Sequence, residues 1–544
     1  MVGAQTARAA MARLMSSREG VDTAYHQHQL TRERVGSILC RKIDHTFDSI
    51  FGATANPWRH LGAFAFLFLW IVVVSGIYVY IMLDTSVAGA YESIASLSRT
   101  QPFFGGLLRS LHRYASDAFV IVTLLHLARE FLLGRYRGFR AYSWLTGVAL
   151  LWPIYTAGIG GFWLAWDQLG QFSAIATAEW LDAVPPFSTP FANPLARNFL
   201  TAAAFNDRMF TLFVFVHVGV PLLLLFGLWF HIQRISYADI FPPRAVSVAT
   251  LTMLVVLSLW FPILGQGPAD LGIAPEVLAL DWWYLGLHPL MYATSAITVW
   301  ALAFFATALL LLLPLMPRNV EFETPAVAKV DPDNCSGCRR CLDDCPYAAI
   351  SMIHHPNRKP GHELAVVQAD FCAACGICAG SCPSSSPFRH NETLITGIDM
   401  PQLPVDAIRR RLDAAIAANT SEGKIILIGC DQALNVERHA SDKIATLSLI
   451  CTGMLPPAFI EYALRRGAVG VILTGCRSEG CAFRLGNQWT EKRLAGMREP
   501  HLRSNVNLQR VSTVWADRGD EVQFGQALAR FQESISSLDN DQAR

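Results

Sequence analysis

The sequence predicts a multidomain chain: an all-α transmembrane helix bundle of six spans, a compact Cys-rich α+β domain, and a small α/β domain. Three observations carry this expectation. Of the 544 residues 52% are hydrophobic, and the apolar runs fill the first 317 residues and are scarce afterwards. Twelve of the thirteen cysteines lie beyond residue 334, eight of them in two copies of one spacing. From about residue 404 the pattern alternates between helix and buried strand.

Six stretches are apolar enough for the about 20 helical residues that cross a bilayer: 61–83, 110–133, 145–166, 209–231, 247–265 and 290–316. Basic residues crowd the N-terminal segment, the second-to-third connection (Arg129, Arg135, Arg137, Arg140) and the fourth-to-fifth connection (Arg234, Arg244). Those ends are expected on the cytoplasmic side of the inner membrane, with both termini. Arg99, Arg109, Arg197 and Arg208 are the few cations of the opposite connections. The long 167–208 connection holds the partly amphipathic QFSAIATAEWLDAV and then PPF, and is expected along the outer surface. The first 59 residues are polar and Arg-rich with no cleavable apolar segment, so no signal peptide is expected.

The remaining boundaries follow composition: a transmembrane domain over 60–317, a charged linker over 318–334, a Cys-rich domain over 335–390, and the α/β domain over 404–544. In the last, IRRRLDAAIAAN and PPAFIEYALRRG read as helices and KIILIGC and VGVILTGC as buried strands. The balance of 44 Lys+Arg against 43 Asp+Glu gives no electrostatic reason for a nucleic-acid partner. Cysteines at cluster-ligand spacing fit reduced thiols in the cytoplasm better than disulfides.

The second span carries His112 and His126, the fourth His217 and His231, each pair fourteen residues apart. Fourteen residues advance a helix by ~21 Å and return within ~40° of the same face, so each helix offers two imidazoles stacked across the bilayer. An isolated intramembrane histidine more often lines a polar cavity or proton path. Four at matched spacing point instead to two bis-histidine cages for flat macrocycles, that is, two b haems. Both spans run in one direction, so His112 pairs with His217 near the outside and His126 with His231 near the cytoplasm. Gly62 and Gly76, and Gly147 and Gly161, repeat the same interval in the first and third spans and leave room at the same depths. Either glycine pair alone equally suits tight helix packing.

RSLHRYASDAFVIVTLLHLAR, GGFWLAWDQLGQFSA and RMFTLFVFVHVGVP resemble the second helix, the segment after the third, and the fourth helix of the cytochrome b family of quinol-oxidising complexes. The resemblance covers about residues 40–315. It implies that Arg109 and Arg129 sit near haem propionates, although such arginines also anchor helix ends at headgroups, and that the protein is a homodimer. The family's outer quinol site uses a Pro-Glu-Trp-Tyr motif; LDWWYL stands in the comparable place, making Asp281 the candidate quinone proton acceptor. An aromatic belt at the membrane interface is the competing reading of DWWY. Relatives that bind an extra haem use a cysteine where this chain has His60, so no third haem is implied and Cys40 is a free thiol.

CSGCRRCLDDCP and CAACGICAGSCP share the C-x2-C-x2-C-x3-C-P spacing. Three close thiolates cap one 4Fe-4S cluster while the fourth turns to its neighbour. Cys335, Cys338, Cys341 and Cys382 are thereby assigned to one cluster, and Cys372, Cys375, Cys378 and Cys345 to the other. Zinc knuckles would want histidines or another rhythm. Residues 328–390 resemble two-cluster bacterial ferredoxins.

Cys430, Cys451, Cys476 and Cys481 remain, two of them closing the expected strands, where loops converge on ligand sites in open α/β folds. A cluster, zinc, or structural and redox-sensing thiols all fit four such cysteines. CTGMLPPAFIEYALRRGAVGVILTGCRSEGCAFRLGN resembles the delta subunit of methyl-viologen-reducing hydrogenases, which implies a 2Fe-2S cluster on these four and docking to a heterodisulfide-reductase-like flavoprotein. No dinucleotide-type Gly-rich turn appears, so a flavin-containing partner is expected to split any hydride. The chain is therefore expected to be an enzyme subunit, inert alone, linking a cytoplasmic flavoprotein, NAD(P)H-, hydrogenase- or formate-dehydrogenase-type partner to quinone. The alternatives are inward electron flow from quinol oxidised at the outer face, toward a bifurcating flavin partner, and a non-catalytic membrane scaffold.

Overall fold

The computed structural model describes residues 35–184, 200–201, 203–316, 326–358, 360–389, 393–417, 423–477 and 480–543. The stretch before residue 35, the PPF at 185–187, Arg197 and much of the 318–334 linker lie outside the described residues. The chain falls into two compact units: Met1–Tyr136 with Gly158–Phe213 and Ile240–Ala296, and Arg137–Ala157 with Val214–Asp239 and Ile297–Arg544.

Among the described residues the chain begins with the helices α1 (Val35–Phe51), α2 (Leu61–Met82), α3 (Ala90–Thr100), α4 (Leu107–Leu132), α5 (Ala141–Ala165), α6 (Gln168–Asp182), α7 (Asp207–Ile232) and α8 (Arg244–Trp260). Two short helices, α9 (Trp282–Leu285) and α10 (Leu287–Ala293), precede α11 (Ala296–Leu312). Among the described residues four helices are long and apolar enough to cross a membrane: Pro57–Met82, Gly138–Ala165, Asp207–Ile232 and Ala296–Leu315. These match the first, third, fourth and sixth expected spans. The second, α4, has 26 residues but includes Arg109, Arg113, Asp117, Arg129 and Glu130, and the fifth, α8, has only 17 residues.

In the first unit α4 packs along α2, with α8 and α1 also against it. Helix α1 was not legible in the sequence. Arg59, ahead of α2, secures it through Asp48 at 2.8 Å, and the Asn56 amide donates to Asp44 O. Asp167 caps α6 by accepting from Gly170 N, and Gln171 bonds Asp270 N and the carbonyls of Asp270 and Ile273. The QFSAIATAEWLDAV stretch is thus a helix tied to the loop after α8.

In the second unit the Trp144 indole donates to Leu310 O at 2.7 Å, joining α5 to α11. The Cys-rich region contains β1 (Lys329–Val330), α12 (Arg340–Asp344), β2 (Ile350–His354), β3 (Glu363–Val367), α13 (Ile377–Ser381) and β4 (Ile398–Asp399). β2 pairs antiparallel with β3, and β1 with β4.

The α/β region follows with α14 (Val405–Ala417), β5 (Ile425–Cys430), β6 (Ile444–Leu449), α15 (Ala458–Arg465), β7 (Gly470–Gly475), α16 (Gly486–Leu494), β8 (Val511–Trp515) and α17 (Glu521–Ala543). Its parallel sheet has the order β6-β5-β7-β8. β5 and β7 are buried throughout, which is why both read as continuous apolar runs. The outer strands β6 and β8 were not legible, because half-exposed edge sequences such as IATLSL and VSTVW lack that run. Ile426, Ile428, Val471 and Leu473 share one core with Ile408, Leu412, Phe459 and Ile460. Ile425, Leu427 and Ile472 point the other way, against Phe524, Leu528 and Ile535.

Candidate functional site

His112 and His126 belong to the first unit, His217 and His231 to the second. The His112 Nδ1 lies 2.9 Å from Val72 O, and the His217 Nδ1 2.8 Å from Ala157 O. A carbonyl can only accept, so each Nδ1 carries the proton and the lone pair sits on Nε2, the tautomer suited to ligating iron. The His231 Nδ1 is 3.1 Å from Thr146 Oγ1.

The glycines serve these rings directly. A Cβ on Gly76 would stand 2.8 Å from His112 Cε1, one on Gly147 3.1 Å from His231 Cε1, and one on Gly62 3.3 Å from His126 Cε1. The missing side chains therefore admit the imidazoles themselves. Gly161 lies near the end of α5.

Arg129 and Arg234 each follow a histidine by three residues, His126 and His231. Each has a buried Nε without a hydrogen-bond partner among the described residues. Such a donor suits an anionic group such as a propionate, so the residues present fit a haem. Arg109 instead reaches Ile94 O and Ser98 Oγ, at 3.4 and 3.3 Å.

The LDWWYL segment is split by its own geometry. Trp282 and Trp283 are exposed, as a belt requires, whereas Asp281 and Tyr284 turn inward. Asp281 caps α9 by accepting from Tyr284 N at 2.8 Å and is ion-paired with Arg113, which also pairs with Asp117. The Tyr284 hydroxyl donates to Ser116 O at 2.9 Å, and its ring fills the space a Gly158 side chain would need. Sequence reasoning missed Arg113; its only signal was the Arg-Asp pair four residues apart on α4. It also missed buried His288, whose Nε2 is 2.9 Å from Thr177 Oγ1.

The two Cys-rich repeats interleave. Cys335, Cys338, Cys341 and Cys382 line one space. Cys345, Cys372, Cys375 and Cys378 line a second. Left-handed residues wrap each loop at matching positions: Gly337 and Arg339 in the first, Ala374 and Gly376 in the second. Burial pushes the Cys341 thiol up to about 12 and raises those of Cys375 and Cys378 as well, so their thiolates need cationic charge at the centre, which iron supplies. Among the described residues no three His, Cys, Asp or Glu side chains gather at a single-ion position.

Cys451, Cys430 and Cys476 stand at or just beyond the C-terminal ends of adjacent strands β6, β5 and β7. Cys430 is within hydrogen-bonding reach of Cys451 and Cys476, and Cys476 of Cys481. A Cβ on Gly486 would intrude on Cys451 Sγ and meet Cys481 Sγ at 3.8 Å, so only glycine fits beside this set. Four buried sulfurs from three loops fit a small cluster.

Three arginines near the ends of α5 and α7 or beside the last cysteines brace this unit. Arg234 stacks 3.7 Å over Phe371, the neighbour of Cys372, and 4.5 Å over Tyr142. Arg140 donates to Ala482 O at 2.8 Å, and Arg484 to Ser236 O and Tyr237 O at 2.8 and 2.9 Å. Only the basic character of these residues was legible.

Three family models match the chain: Cytochrome b/b6/petB over residues 47–238, 4Fe-4S dicluster domain over 334–386, and Methyl-viologen-reducing hydrogenase, delta subunit, over 424–539. Among solved structures the chain is similar to one from "Hyperthermophilic respiratory Complex III", at 19% identity and a TM-score of 0.38, covering 50% of this chain and 80% of that one. Histidine-bearing apolar helices, interleaved cysteine repeats and a cysteine-tipped parallel sheet follow each other in the order of the three families, and the chain is a fusion of them.

Proposed function

We propose that the chain is the membrane electron-transfer subunit of a quinone-linked oxidoreductase complex, connecting a cytoplasmic flavoprotein or dehydrogenase to the quinone pool. The observation that carries this reading is the gathering, in one unit with His231, of three separate four-cysteine sets. When bound, haems and iron–sulfur clusters supply one-electron carriers. Cys335, Cys338, Cys341 and Cys382 hold one 4Fe-4S cluster, Cys345, Cys372, Cys375 and Cys378 the other, and Cys430, Cys451, Cys476 and Cys481 a 2Fe-2S cluster. His112 with His217, and His126 with His231, hold the two b haems, a pairing that rests on the parallel course of two spans in the sequence.

The chain's own residues orient and insulate these positions. Val72 O, Ala157 O and Thr146 Oγ1 fix three imidazoles, and Arg129 and Arg234 offer buried donors beside the inner pair. Six spans, with the iron–sulfur regions cytoplasmic, remain the proposed topology. The charges on α4 are compatible with it, because Arg113 is paired with Asp117 and Asp281.

One observation favours the reverse traffic, with quinol oxidised at the outer face: Asp281 and Tyr284 turn inward there. Asp281 takes up a quinol proton in that reading once Arg113 releases it. Anaerobically purified chain, mixed in turn with quinol, with reduced ferredoxin, and with NAD(P)H plus candidate flavoproteins, discriminates by haem absorbance. Failure of every cytoplasmic donor to reduce the haems sinks the first direction, and haem reduction by quinol that is lost in Asp281→Asn supports the second.

A further inference from the structure

The two Cys-rich repeats are equivalent position by position: Cys335, Cys338 and Cys341 correspond to Cys372, Cys375 and Cys378, and Arg339 and Arg340 to Gly376 and Ile377. Their surroundings are not equivalent. In the second repeat this loop is covered. Cys375 and Ile377 share one buried cluster with Cys451, Leu485 and Trp489, and a Cβ on Gly376 would meet Met400 and Met454 at 3.1 Å. The other side of the same set also has neighbours: Phe371 lies under Arg234, and Tyr347, which lines the same space, packs at a tilt against Phe139 with ring centroids 4.6 Å apart. In the first repeat the loop is open, with Ser336, Cys338 and Arg339 exposed.

The second set thus neighbours both the delta-type cysteines and the loops flanking α5 and α7, while the first set, among the described residues, faces solvent along the wall that holds Cys338. A simple series, in which electrons visit both 4Fe-4S positions between the delta-type site and the inner haem, does not match this placement. We infer that the Cys345/Cys372/Cys375/Cys378 site is a junction, and that the Cys335/Cys338/Cys341/Cys382 site is a separate port where a soluble iron–sulfur carrier protein of the ferredoxin type docks on the 336–340 loop. This inference rests on the cluster assignments proposed above. The equivalent face of the second repeat already receives an electron-transfer region of this chain, so the open face of the first is shaped for a similar occupant. The Arg339 and Arg340 charges are answered within the chain by Glu363 and Glu499, which leaves backbone and small side chains around Cys338 as the contact surface. The step balances as one electron leaving the reduced carrier and one entering the port site, with no bond made or broken.

Two measurements on the full chain test it. In the first, the electron-spin relaxation of the delta-type signal is followed at low temperature. The inference expects it to slow in Cys378→Ser and to keep its wild-type rate in Cys341→Ser; equal effects of the two variants overturn the junction. In the second, hydrogen exchange is followed with and without oxidised two-cluster ferredoxin, and protection is expected over 335–341. Protection elsewhere, or none, overturns the port. Cys341→Ser is also expected to lose haem reduction by reduced ferredoxin, and retention of that reduction counts against the port even if the cluster assignments hold. If neither wild type nor variants contain iron, the function proposed above fails instead.

Discussion

Arg493, fully buried, is ion-paired with Asp344, the residue preceding Cys345, and donates to Gly453 O at 2.8 Å. Arg498 reaches the same carboxylate at 2.6 Å, and the Trp489 indole donates to Asp344 O. One carboxylate thereby joins a cysteine of the dicluster region to the loop after Cys451.

Removing that carboxylate strands a buried guanidinium. Asp344→Ala is expected to destabilise the iron–sulfur half by about 3–5 kcal/mol. Arg493→Met in the same chain is expected to return part of the loss. Limited proteolysis and thermal melting of the single and double variants measure this, and additive losses contradict it.

The glycine–imidazole contacts predict a ranking. Alanine is expected to be worst at Gly76, intermediate at Gly147 and mildest at Gly62, following the approaches of 2.8, 3.1 and 3.3 Å. Haem content per purified chain, read by pyridine haemochrome absorbance, checks the order.

Thr146→Val removes the oxygen that faces His231 Nδ1. A less polarised imidazole donates less to ferric iron, so one of the two haem midpoint potentials is expected to rise, with the haem retained. Redox titration followed in the visible range measures it.

Gly486→Ala places a methyl group against Cys451 Sγ. Non-haem iron is expected to fall from about ten to about eight atoms per chain, the remainder being two 4Fe-4S clusters. Loss of the 4Fe-4S signals as well would falsify the separation of the three sets.

Burial pushes the Asp399 carboxyl up to about 6, against the pull of the Met400 and Val405 N–H groups. The folded state holds this proton more tightly than the unfolded chain, so the group's stabilisation is full below its unfolded value of 3.8 and is lost as pH rises through about 6. Asp399→Asn is expected to flatten stability over that window while preserving an acceptor for the helix start. Denaturant melts at several pH values check the slope.

Spacing made the histidines, both cysteine repeats and the two central strands legible, because each is a local pattern. What escaped depends on long-range placement. Arg493 and Asp344 lie 149 positions apart, so no local pattern links them. The neighbourhood of Cys375 and Cys451 needed the docked fold, since identical motifs gave no hint that one loop is covered and the other open. LDWWYL looked ambiguous because it is two things, an exposed tryptophan pair and an inward Asp–Tyr pair.

Cys430 ends a strand that pairs through six residues with β6 and five with β7. Its sulfur thus sits at the end of a strand that is held by hydrogen-bonded backbone on both sides up to Gly429. A change of one unit of charge beside it meets dipoles that are already set and have little to rearrange. In the electron-transfer role proposed for Cys430, the stiffness of the sheet acts on rate as well as stability, by keeping small the reorganisation that accompanies each transfer.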